Sequence, residues 1–69
     1  MLNINAKVIE NDQEVAKISL RILPREGEVL NFNDIGKFKI NKIVYQLQNS
    51  GNNLYHSDFI VIYVKKTEE

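Results

Sequence analysis

The chain has no cysteine and a single histidine, His56. No disulfide can brace the fold, and a zinc site, which needs three or four ligands, has no second His and no Cys to call on. Absence of cysteine is compatible with a reducing compartment. Glycine is scarce as well: Gly27, Gly36 and Gly51 stand alone, so no Gly-rich loop is available to cradle a phosphate. An excess of either charge is also lacking. Nine Lys+Arg balance nine Asp+Glu, and the summed field attracts neither a phosphate backbone nor an acidic membrane. No apolar run approaches the ~20 residues that span a bilayer, and no basic segment followed by an apolar stretch opens the sequence. The expectation is a soluble, cytoplasmic chain with no metal and no cofactor.

What is present is alternation. The 69 residues suffice for one domain, residues 1–69, and a chain of this size buries only about 60% of its unfolded surface. The core must therefore suffice, or a partner chain must help. Leu2, Ile4, Ala6 and Val8 alternate with polar residues and predict a strand with one buried face. Glu10–Gln13 reads as a reverse turn. Over Glu14–Leu23, the alternation of Ala16, Ile18, Leu20 and Ile22 favours a strand. A helix over about residues 12–22 is the alternative, because Asn11 and Glu14 could form a capping box and Val15, Ile18 and Ile22 would share a helix face.

Pro24 and Gly27 then mark a turn, Pro24 by its fixed φ and Gly27 by its freedom to take a positive one. A short strand follows at 28–32, a second turn at Asn33–Gly36, and the longest extended stretch at 37–48. Within that stretch Phe38 and Ile40 set one parity, whereas Ile43, Tyr45 and Leu47 set the other. Both sets can face one core only if an extra residue intervenes, which predicts a β-bulge at Asn41 or Lys42. Residues 49–53 form a hairpin tip, a last strand runs to about Lys65, and residues 66–69 are expected to fray. Five short strands in so small a chain predict an all-β fold, a five-stranded, SH3-like, partly open barrel. The α+β meander is the alternative if residues 12–22 are helical.

Leu23-Pro24-x-x-Gly27-Glu28 before a short strand, then Phe38-x-Ile40-x-x-Ile43 and a β-rich end, resembles small uncharacterised bacterial and bacteriophage β-barrel proteins. The likeness covers roughly residues 20–65 and rests on turn and core positions. It implies the barrel fold and a phage or mobile-element setting, and it supplies no catalytic residue.

Each candidate site has a plainer reading beside it. His56-Ser57-Asp58 holds the residue types of a hydrolase triad, but neighbours on an extended chain point to opposite faces, and a triad needs members that converge. Glu26 and Glu28 flank a turn, where carboxylates are ordinarily solvated. Asp12, Asp34 and Asp58 lie in separate segments, unlike the ligands of a calcium loop. None of these supports an enzyme.

Lys37, Lys39 and Lys42 beside Tyr45, with Arg21 and Arg25, could track a phosphate backbone while bases stack, although lysine on a strand also guards against edge pairing. Tyr55, Phe59, Val61 and Tyr63 alternate with Ile60, Ile62 and Val64. If the latter face the core, the former lie outside as an aromatic face suited to a protein partner or a second copy, unless a loop or the N-terminal strand covers them. The leading expectation is a non-enzymatic protein-interaction module, for instance a phage-encoded chain acting on a host complex, or a homo-oligomer. A nucleic-acid-binding small barrel is the alternative.

Overall fold

A computed structural model describes residues 3–67 of the chain, and all of its regular structure is strand. Leu2, the first residue of the predicted alternation, and the terminal Glu68 and Glu69 lie outside the described residues. The strands are β1 (Ile4–Glu10), β2 (Gln13–Leu20), β3 (Val29–Phe32), β4 (Gly36–Asn49) and β5 (Tyr55–Thr67). The helix weighed for residues 12–22 does not form. Alternation wins there because Ala16, Ile18 and Leu20 each sit opposite an inward residue of β1, namely Val8, Ala6 and Ile4. β5 also continues through Lys66 and Thr67, where fraying was expected, because both pair with β4.

The sheet order is β2-β1-β5-β4-β3. In a ring of five strands, each antiparallel to the one before it, the first and last must run the same way. β1 and β5 accordingly pair in parallel, with Ala6 opposite Ile60 and Val8 opposite Ile62. The sheet curls into a half-barrel that stays open between β2 and β3. Ala6, Val8, Phe38, Ile40, Ile60, Ile62 and Val64 form the buried core on its concave side, and Phe32 meets the Phe38 ring edge-on at 5.7 Å.

The reversals follow local chemistry. Asn11 and Asp12 take positive φ in a two-residue hairpin loop, the conformation that matches strand twist. In the β2–β3 connection, Gly27 at φ 90° is the third residue of a turn closed by the Glu28 N–H donating to Arg25 O at 3.2 Å. That turn docks on β4: the Gly27 N–H donates to Ile40 O and the Ile40 N–H to Glu28 O, both at 2.8 Å. Pro24 is buried against the body of the barrel.

Asn41 is the extra residue of the bulge predicted in β4, since Ile40 pairs with Val64 and Lys42 with Tyr63. Phe38, Ile40, Ile43 and Tyr45 consequently share the concave face. Only the first two are fully buried; Ile43 packs on the core's margin, and Tyr45 is 52% exposed. A second irregularity was not foreseen. Gln46 pairs with Phe59 and Gln48 with His56, so β5 carries an extra residue at Ser57–Asp58. That single residue reverses the facing of everything before it in β5.

Candidate binding surfaces

Past Tyr45 and before Ile60, β4 and β5 have only each other as described strand partners, because β3 pairs with β4 through Lys39 and β1 meets β5 from Ala6 onward. The result is a two-stranded arm, residues 46–49 and 55–59, reaching beyond the barrel. β4 alone, at ~3.3 Å per residue, accounts for the longest dimension of the molecule, 46 Å. From Asn41 to Asn49 the outer edge of β4 faces no other described strand.

The bulge at Ser57–Asp58 divides the aromatic face expected at Tyr55, Phe59, Val61 and Tyr63. Phe59, Val61 and Tyr63 do lie on the outer side of the sheet, but Tyr55, opposite Asn49, falls on the concave side with Tyr45 and Leu47. The outer three are also less open than a free interface would be. Val61 is only 7% exposed, and Phe59 and Tyr63 are half-buried. Lysine ammonium groups sit over both rings: Lys7 Nζ is 4.4 Å from the Phe59 centroid, and Lys42 Nζ is 5.2 Å from that of Tyr63. The N-terminal strand and β4 thus provide the cover. The most exposed large apolar residues among those described are elsewhere: Tyr45, Leu47, Leu54 and Tyr55 on or beside the arm, Ile22 and Leu23 in the β2–β3 connection, and also Val29 and Ile35.

At the base of the arm β1 and β5 splay apart and leave an open cleft of about 360 Å³, lined by Ile4, Leu23, Tyr45, Ser57, Asp58 and Ile60. His56 Nε2 stands 3.6 Å from Asp58 Oδ1 on the surface, while the Ser57 hydroxyl donates to Phe59 O at 2.9 Å. Ser57 therefore closes its own bulge and does not meet the imidazole in a nucleophile–base pair. Glu28 is likewise structural, its Oε1 accepting the Arg25 N–H at 2.7 Å. Among the described residues, no group of three or more His, Asp or Glu is placed to hold a metal ion, and no helix is long and apolar enough to cross a membrane.

Of the cations singled out in the sequence, Lys37, Lys39 and Lys42 occupy outward positions of β4, on one face. Arg21 and Arg25 belong to the β2–β3 connection and lie off that face. Tyr45 is on the opposite side, and Tyr63 takes its place beside Lys42. The register adds three cations that no single segment reveals: Lys7 opposite Lys17, and Lys65 opposite Lys39. Comparison with known families, curated proteins and solved structures finds no match.

Proposed function

We propose that the protein is a non-catalytic interaction module that binds a second copy of itself by strand addition along the arm. The observation that carries this reading is the free β4 edge from Asn41 to Asn49, together with the apolar side chains it presents. Unpaired strand edges are templates for another strand, and natural proteins blunt them with lysine, proline or cover. Here, among the described residues, only Lys42 and the Asn41 bulge at its start blunt the edge: the chain carries no charged residue from Ile43 to Tyr55, and its only proline is Pro24. Ile43-Val44-Tyr45-Gln46-Leu47-Gln48 is neutral and rich in β-formers, the composition of a segment that stacks on its own kind. Two copies meeting edge to edge about a two-fold axis would each cover the other's Tyr45 and Leu47.

Light scattering across a concentration series tests the reading. The expected result is a mass rising toward twice the 8.0 kDa of one chain. Leu47→Lys should remain folded, since Leu47 is 59% exposed, and should stay monomeric throughout. A wild-type protein that is monomeric at millimolar concentration, or a Leu47→Lys variant that still pairs, would overturn it.

A further inference from the structure

The outer face of the sheet carries charge of one sign. Lys7, Lys17, Lys37, Lys39, Lys42 and Lys65, six of the seven lysines in the chain, occupy outward positions on β1, β2, β4 and β5. The strand carboxylates lie at the margins: Glu10 and Glu14 beside the β1–β2 turn, and Asp58 in the β5 bulge. None of the six lysines forms an ion pair among the described residues. The overall neutrality therefore conceals a segregation, with lysines on the sheet and four of the seven described carboxylates, Asp12, Glu26, Glu28 and Asp34, in the turns.

Two ordinary explanations fall short. Lysine as an edge guard belongs on edges, yet only Lys17 on β2 and Lys42 on the unpaired stretch of β4 stand at one, and β3 bears none. Nor does fold stability account for the set: Lys7 and Lys42 cover aromatic rings, but the cross-strand pairings are unfavourable. Lys7 faces Lys17 and Lys39 faces Lys65 directly across neighbouring strands, an opposition of like charges that destabilises a sheet.

We infer that this outer face binds single-stranded nucleic acid, the lysines engaging phosphates and the Phe59 and Tyr63 rings receiving bases. A cationic surface interleaved with aromatic rings is the combination that holds a single strand without reading its sequence. The site uses the outer face of the sheet rather than the backbone edge of β4; Lys42 and Phe59 border both surfaces, but binding here does not require a second copy. Duplex DNA fits poorly, since a convex face four strands across, roughly 15 Å at strand spacing, exceeds the major groove, which takes a helix or a two-stranded ribbon. An anionic membrane would meet the lysines but offers no bases to stack on the Phe59 and Tyr63 rings, so it uses only part of the face. In the free protein Lys7 caps Phe59 and Lys42 caps Tyr63. A phosphate that draws an ammonium aside uncovers the ring beneath, so the two kinds of contact form together.

Fluorescence anisotropy with labelled oligo-dT and oligo-U of about 15 nucleotides, within the span one small barrel covers, tests the assignment and separates DNA from RNA. Binding to at least one strand is expected at low salt, weakening steeply as salt rises. Replacing Lys39, Lys42 and Lys65 by Gln together should weaken binding at least tenfold and make the salt slope shallower by about 2, at ~0.7 per lost phosphate contact. The same variant should melt no lower than wild type, which separates a binding role from a structural one. Phe59→Leu, which keeps an apolar side chain without a stacking surface, should cost roughly fivefold. The inference is overturned if neither strand binds at low salt, if the triple variant binds equally well, or if duplex or phosphatidylserine vesicles bind in preference to single strands.

Discussion

At Gly27 the turn conformation falls on one residue. Its φ of 90° lies where side chains are strained, yet a Cβ built there meets nothing within 4 Å. The cost of Gly27→Val is therefore backbone strain rather than collision, about 1–3 kcal/mol. A thermal melt reads it as a drop of several degrees, and an unchanged midpoint would refute the role given to this turn. Other single residues differ in how much they disclose. Asn41 was legible as a bulge because apolar residues stand on both sides of it, and their change of parity marks the extra position. The second bulge was not, because His56, Ser57 and Asp58 are all polar and no apolar neighbour records which way they face. Tyr55 was misplaced for that reason alone.

Among the elements, β4 sets the geometry of both surfaces. The Asn41 bulge keeps Ile40 and Ile43 on the concave side while Lys39 and Lys42 both point outward. The two isoleucines nevertheless differ in burial: Ile40 is fully buried in the core, its backbone paired with the Gly27 turn, and Ile43 packs only on the core's edge. Ile40→Ala should cost about 2–5 kcal/mol, a large share of what so small a domain possesses, and Ile43→Ala distinctly less. Denaturant titration of the two variants side by side checks the ordering; equal losses would mean that Ile43 is as much a part of the core as Ile40. Most of the strands were legible from alternation within one segment, but residues 12–22 left a helix open, and the strand expected to reach Leu23 stops at Leu20, beyond which Ile22 turns out to solvent. The lysine face was not, because Lys7, Lys17 and Lys65 join it only through the pairing of β1 with β2 and of β4 with β5, which no local pattern encodes.

For the molecule as a whole, a formal charge of zero is a poor guide to its field. Six cations on one face repel one another at low ionic strength, and salt screens that repulsion once the Debye length falls to about 10 Å near 0.1 M. The melting temperature should therefore rise between low and moderate salt. In the triple variant with Gln at positions 39, 42 and 65 the rise should shrink. A wild-type midpoint that stays flat or falls with salt would show that the opposed lysine pairs carry no strain.

The parallel pairing of β1 with β5 also governs when this protein can fold. Ala6 and Ile60 are neighbours in the sheet but are separated by most of the chain, and β5 lies at the centre of the sheet order. During synthesis β1 leaves the ribosome well before β5 and waits for its central neighbour until that strand has emerged. The nascent chain holds β1–β2 as an isolated hairpin, and such ribbons are marginal in water. Assembly of the barrel is thus deferred until β5 is available to pair, and a chain halted before Ile60 lacks the strand that joins β1 to β4.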